Sequence, residues 1–109
     1  MKFVKVAHIN ELSAGEKKKI SLDNIEILLV NIQNTYYAIN NKCSHMGGSL
    51  LDGKLDKYNI VCPRHGSTFD VRTGKAVQGA QILFVKIKVH DVRNFPIKIE
   101  GNDILIEME

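Results

Sequence analysis

Two short pairs of metal-binding side chains, Cys43-Ser44-His45 and Cys62-Pro63-Arg64-His65, are separated by sixteen residues in a chain that has only two cysteines. Thiolates and imidazoles are strong ligands for zinc, copper and iron. A fold that brings the pairs together presents two sulfurs and two nitrogens to one centre. Glycine stands just beyond each histidine, at Gly47, Gly48 and Gly66, where backbone without a side chain can approach an inorganic group closely. A structural zinc site is one possible occupant, although such sites usually pair Cys with Cys and are mostly sulfur. Hydrolytic zinc chemistry would need an open position and a general base, and no carboxylate stands beside the ligands. Cysteine nucleophile chemistry at Cys43 with His45 lacks an oxyanion feature. A disulfide would leave both histidines unexplained, and nothing in the chain points to export.

The elements that must position these residues read as strands. Val4 and Val6 flank Lys5, Ile20 and Leu22 flank Ser21, and Val85, Ile87 and Val89 alternate with Lys86, Lys88 and His90. Ile97 and Ile99 flank Lys98, and Ile104, Ile106 and Met108 repeat the pattern. A period of two marks half-buried strands. Ile25 to Ile32 is continuously apolar enough to be covered on both faces, with Thr35 to Ile39 as its hairpin partner. Asp23-Asn24, Gln33-Asn34, Asn40-Asn41 and Gly101-Asn102 read as turns. Only Asn10 to Lys17 hints at helix, and Gly15 limits it to about one turn. Residues 40–79 break the rhythm, holding six of the eight glycines and one of the two prolines. Such a segment predicts loops of fixed shape raised on a sheet. Leu50, Leu51, Leu55 and Ile60 predict a small apolar core beneath them, and Asp56 to Asn59 a polar turn leading to Cys62.

Global properties narrow the function classes. The 109 residues, 44% hydrophobic and 25% charged, suit a single all-β domain with an ordinary core. A formal charge of +3 is too small to argue for nucleic-acid binding, and Lys17 to Lys19 reads as a solvated strand or turn face. No segment approaches the roughly 18 apolar residues of a membrane span, and no signal peptide is evident. A soluble, cytoplasmic protein without a membrane anchor is expected.

The run Cys43-Ser44-His45-Met46-Gly47-Gly48, followed by Cys62-Pro63-Arg64-His65-Gly66-Ser67-Thr68-Phe69-Asp70 and Thr73-Gly74-Lys75, resembles the Rieske iron-sulfur family. The likeness is closest over residues 36–79. It implies a basal antiparallel β-barrel or sandwich, about residues 1–39 and 80–109, carrying a smaller rubredoxin-like cluster-binding subdomain, about residues 40–79. It implies one [2Fe-2S] cluster, with Cys43 and Cys62 on one iron and His45 and His65 on the other. Around that cluster, Gly48 and Gly66 would keep the backbone close and Pro63 would shape the second loop. Met46 would form an apolar collar, and Ser67 would donate a hydrogen bond to a bridging sulfide.

Two thiolates leave an oxidised two-iron, two-sulfide site neutral, and a neutral site accepts an electron more readily than the dianion that four thiolates would give. Such centres accordingly span roughly −150 to +300 mV, against about −400 mV for plant-type ferredoxins. The ring nitrogens not bound to iron can exchange protons, coupling the potential to pH. Membrane-bound members of the family carry an extra, bridged cysteine in each loop, where this chain has Gly48 and Arg64. The chain is similar instead to soluble Rieske-type ferredoxins, archaeal ones and those of dioxygenase systems. Phe69 stands where high-potential members have a tyrosine, so one hydrogen bond to sulfide is expected rather than two. The expected function is one-electron transport between transient partners, a reductase and an acceptor such as an oxygenase, without catalysis of its own. A ferredoxin component of an oxygenase or nitrite reductase system and a zinc-stabilised binding module are the alternatives. Arg64 is a candidate partner contact, while His8 and His90 read as structural.

Overall fold

The computed structural model describes residues 2–43, 48–64 and 66–108, the side chain of Ile82 apart. Its architecture follows from one strand that needs two coverings. β1 (Lys2–His8) leads through a single 3-10 turn, Ile9–Glu11, to β2 (Lys17–Leu22), β3 (Ile25–Ile32) and β4 (Thr35–Asn40). These last three are joined by two-residue turns in which Asp23, Asn24, Gln33 and Asn34 all take positive φ, the hairpin geometry that matches strand twist. After the first Cys/His loop come β5 (Lys54–Asp56), β6 (Asn59–Val61), β7 (Thr68–Asp70) and β8 (Ala76–Gln78). β9 (Ala80–Ile82) and β10 (Val85–Ile87) make a separate hairpin, and β11 (Asn94–Phe95), β12 (Ile97–Glu100) and β13 (Asp103–Met108) return to the body.

Among the described residues the pairings are antiparallel and give four open sheets, ordered β1-β13-β12, β10-β9, β11-β4-β3-β2 and β5-β6-β7-β8. The protein is therefore all-β, a layered sandwich. Successive residues of a strand face opposite sides, and β3 uses both. Ile27 and Leu29 join Ala38, Phe95, Ile104 and Ile106 in one core, beneath the β1-β13-β12 sheet. Leu28 and Val30 join Ile39, Leu50, Ile60, Phe69, Cys43 and Cys62 in the other. Ile27 to Val30 are all completely buried, as expected of a strand covered twice.

Other expectations are modified. The alternation in β1 breaks at a bulge between Lys5 and Ala7, so Ala7 rather than Val6 is the fully buried side chain there. Leu50 and Ile60 do not form a separate local core but are continuous with β3 and β4. The helix hint at Asn10 to Lys17 resolves to the Ile9–Glu11 turn, capped when His8 Nδ1 accepts from Asn10 N–H at 3.1 Å. His8 is thus structural. Lys17 to Lys19 lie on β2; Lys17 Nζ donates to the Gly53 carbonyl, tying the central sheet to the loop before β5. Val85 is exposed at one end of β10, which pairs only with β9, whereas Ile87 at its other end packs against the core that holds the two cysteines and Val89 beyond it is buried. Among the described residues no helix is long and apolar enough to cross a membrane.

The turn from Asp70 to Lys75 fastens the β5-β8 sheet to the returning chain. Gly74 N–H donates to the Asp70 carbonyl at 2.7 Å, and Val92 N–H donates to the Gly74 carbonyl at 2.8 Å. The Arg72 guanidinium, hydrogen-bonded to Asp70 at 2.9 Å, holds that carboxyl below the usual carboxylate range against the opposing effect of burial. Arg72 also lies 4.2 Å from the centre of the Tyr58 ring, which meets Tyr37 edge-on. Gly74 has φ of 81°, and a Cβ there would fall 2.0 Å from the Val92 carbonyl oxygen. Gly74→Ala therefore adds both a backbone conformation foreign to alanine and a collision with main chain. We expect it to destabilise the protein by at least about 2 kcal/mol, measured as a lower urea midpoint; an unchanged midpoint would contradict this account of the turn.

Candidate metal centre

The two cysteines come from different sheets and meet in one core. Cys43 follows β4, Cys62 follows β6, and both thiols are buried and not joined as a disulfide. Their loops close in the same way. Cys43 N–H donates to the Gly48 carbonyl and Cys62 N–H to the Ser67 carbonyl, each at 2.7 Å and each five residues along the chain. A bridge between Lys42 and Ser49 continues the first ladder outward. In the second loop Gly66 takes φ of 79° and its N–H turns back to the Cys62 carbonyl at 3.2 Å. Thr68 Oγ1 donates to the Gly66 carbonyl at 3.0 Å. Each loop is thus held at its neck by backbone bonds, leaving its interior to carry the side chains between.

Asn41 supports the first neck from behind. Fully buried, it donates through Nδ2 to Ser49 Oγ at 2.9 Å and to Glu26 Oε1 at 3.3 Å. Its Oδ1 accepts from Leu51 N–H at 2.9 Å, and its carbonyl accepts from Leu50 N–H at 2.7 Å. One amide therefore fixes both sides of the loop to β3. The sequence reading had Asn41 as a turn residue; an asparagine pair just before a ligand-bearing loop is the only local hint of its role.

The necks also touch each other. A Cβ on Gly48 would stand 3.3 Å from Cys62 Sγ and 3.2 Å from Arg64 Cδ. Bare backbone of the first loop thus lies against the sulfur of the second, as the glycine at this position suggested. Positions 48 and 64, expected to face each other, are neighbours. Pro63 and Arg64 are exposed, whereas Phe69 is completely buried and offers no donor. His45, Met46 and His65 lie outside the described residues, as do Ser44 and Gly47. His90 is exposed.

Whether the surroundings fit an iron-sulfur group can be judged at Ser67. Its Oγ is buried and has no hydrogen-bond partner among the described residues. A hydroxyl left so costs about 1–3 kcal/mol, a cost removed when an acceptor lies beside it. Two buried thiols, an adjoining backbone cradle and one unmatched donor suit a group that carries anionic sulfide.

Fold and site together define a small all-β protein built to hold a metal centre between two loops. The Rieske [2Fe-2S] domain family matches residues 2–95. The ferredoxin component of the naphthalene 1,2-dioxygenase/salicylate 5-hydroxylase systems of Ralstonia sp is 29% identical, over 98% of this chain and 96% of that protein. The biphenyl dioxygenase ferredoxin subunit of Pseudomonas sp. (strain KKS102) is 31% identical, over 98% of this chain and 93% of its own. The solved ferredoxin of carbazole 1,9a-dioxygenase from Nocardioides aromaticivorans IC177 superposes with a TM-score of 0.82 at 31% identity, each chain covered completely. The chain belongs to the Rieske [2Fe-2S] family. Its cofactor is one Rieske-type [2Fe-2S] cluster, which displaces the zinc alternative, and it is an electron-transfer protein rather than a catalyst.

If Asn41 holds the first loop in place, Asn41→Ala leaves Leu51 N–H and Ser49 without their partner. We expect a loss of about 1–3 kcal/mol, seen in chemical denaturation, together with faster bleaching of the visible cluster absorption on warming. Unaltered bleaching would show that the loop is held by its backbone ladder alone.

Proposed function

We propose that Cys43, His45, Cys62 and His65 are the four cluster ligands, the cysteines on one iron and the histidines on the other. In this reading residues 40–79 form the cluster-binding subdomain and residues 1–39 and 80–109 its basal support, within one domain. The observation that carries the reading is the meeting of the two loop necks, where Gly48 lies against Cys62 and both thiols share one buried core. When bound, the cluster accepts and returns single electrons. The protein's own groups supply the rest. Buried thiols keep water from the sulfur ligands, Ser67 offers a hydrogen bond into the site, and the imidazoles of His45 and His65 bind or release a proton at the nitrogen not engaged by metal. Hydrogen bonds to cluster sulfur raise the potential. With Ser67 available and Phe69 without a donor, a value in the lower or middle part of the family range is expected.

The relatives named above are ferredoxin components of dioxygenase systems. By that likeness the chain takes electrons from a reductase and delivers them to an acceptor such as an oxygenase, through brief contacts of small area. Reduced thiols persist in the cytoplasm, and we place the protein there.

Iron and acid-labile sulfide analysis tests the ligand set. About two of each per chain are expected for the wild type, with loss of both in Cys43→Ser and Cys62→Ser and a changed or absent EPR signal in variants of His45 or His65. A variant that kept the wild-type spectrum would remove that residue from the set. Redox titration tests the proton. Below the pKa of the oxidised site every imidazole is protonated in both redox states and the potential is constant. Above it, reduction takes up a proton and the potential falls by up to about 59 mV per pH unit, the slope for one electron. A flat profile from about pH 6 to 10 would refute the coupling. In the same titration Ser67→Ala is expected to lower the potential by some tens of millivolts, and no shift would mean that the hydroxyl does not serve the cluster.

A further inference from the structure

The β9-β10 hairpin leaves the body with apolar side chains turned outward. Leu83 is 85% exposed, Phe84 100% and Val85 60%. Leu83 also takes φ of 56°, the left-handed region in which leucine is strained. Neither exposure nor strain favours the folded state, so the tip is not explained by stability. Its root lies elsewhere in character. Ala80, paired with Ile87, is completely buried in the core that holds Cys43 and Cys62. β8, just before it, ends at Gln78 opposite Thr68, the residue after Ser67. The hairpin therefore springs from the end of the molecule where the ligand loops sit.

Charge and shape say what it meets. From Val71 to His90 the chain carries Arg72, Lys75, Lys86 and Lys88 and no acidic residue. Arg72 is paired with Asp70, but Lys75, Lys86 and Lys88 enter no ion pair among the described residues. A groove of about 350 Å³ at the root is lined by Lys75, Val77, Lys88 and Val89 and by one carboxylate, Asp91, which accepts from Ala76 N–H at 2.8 Å, so its side-chain charge remains positive on balance. Val77 is itself 57% exposed. An exposed aromatic anchor at the tip, a groove at the root and a polar rim are the parts of a protein interface.

We propose that the hairpin of residues 80–87, with the groove at its root, is the docking element for an acidic redox-partner protein. Leu83 and Phe84 enter an apolar socket on that partner, while Lys75, Lys86 and Lys88 meet its anionic rim. The proposal rests on the electron-carrier reading, since it places the partner beside the cluster loops. A second copy of this chain is a poorer occupant, because antiparallel pairing of β10 with itself would set lysine against lysine. A lipid surface could take the tip but has nothing to fill the groove.

The test measures how fast NAD(P)H and a clarified extract of the source organism bleach the visible absorption of the holoprotein, over a range of holoprotein concentrations. The exposed positions allow substitution without touching the core, and asparagine tolerates the backbone of position 83 better than leucine. Leu83→Asn with Phe84→Ser is expected to raise KM at least fivefold. Lys86→Glu with Lys88→Glu should raise it similarly and abolish the slowing by salt that the wild type shows. Reduction by dithionite, which needs no docking, should be the same in all three proteins. KM within twofold of wild type in both variants overturns the proposal. So does flotation of the wild type with phosphatidylcholine/phosphatidylglycerol vesicles that is lost in the tip variant while KM is unchanged, which assigns the tip to lipid. A wild type reduced by dithionite but never by the extract would count against the carrier reading itself.

Discussion

A strand with apolar side chains on both faces has to be covered twice, and Ile25 to Ile32 impose that requirement on the whole molecule. The covering on one side is conventional: the β1-β13-β12 sheet lays Ile104, Ile106 and Met108 against Ile27 and Leu29. The covering on the other side includes both cysteines, the proposed metal ligands. Leu28 and Val30 are sealed by Leu50, Ile60, Phe69 and the two cysteines, so the apolar burial that holds the sheets together also sets the depth of the thiols. Ligand placement and core packing are one arrangement, and a large-to-small change at Leu28 or Ile60 would be felt at Cys43 and Cys62 through the cavity it leaves.

Packing alone does not orient a loop, since apolar contact is not directional. Direction comes from the necks. The matched bonds from Cys43 to Gly48 and from Cys62 to Ser67 set the span that each loop must bridge. Asn41 ties the first of them to Glu26 on β3, and the Asp70 to Lys75 turn ties the sheet of the second to Val92. Hydrogen bonds therefore refer the first loop back to β3 and the sheet of the second to the segment that leads into β11. Such pre-organisation lowers the rearrangement that accompanies each change of charge at a redox centre.

Much of this was legible from residue types. The cysteines of the two Cys/His pairs meet in one core, as their pairing suggested, the continuous apolar run announced β3, and Asp23-Asn24 and Gln33-Asn34 announced hairpin turns whose positive φ the structure shows. The parts that were not legible have specific reasons. Asn41 acts through partners 8, 10 and 15 residues away, Ser49, Leu51 and Glu26, and local sequence cannot distinguish such an asparagine from one in a turn. The β9-β10 hairpin hid because its turn is Leu83-Phe84, with none of the glycine, asparagine or aspartate that marks a reversal. The alternation read at Val85, Ile87 and Val89 holds at half-buried Ile87 and buried Val89, between exposed Lys86, Lys88 and His90, and fails only at Val85, where the hairpin stands clear of the body.

The facing of Gly48 and Arg64 bears on how the two loops stay together. In membrane-bound members of the family a cysteine pair bridges these positions; here a glycine backbone faces an arginine stem, so close that an added Cβ would stand 3.2 Å from Arg64 Cδ, and the approach carries no covalent restraint. Among the described residues the remaining link between the necks is the shared core. On the proposed ligand set, metal bonds through Cys43 and Cys62 would close a chain segment of some twenty residues, a role otherwise played by a cross-link, and would couple the stability of the domain to its cofactor. Arg64, exposed beside Pro63, adds a cationic group next to the second loop.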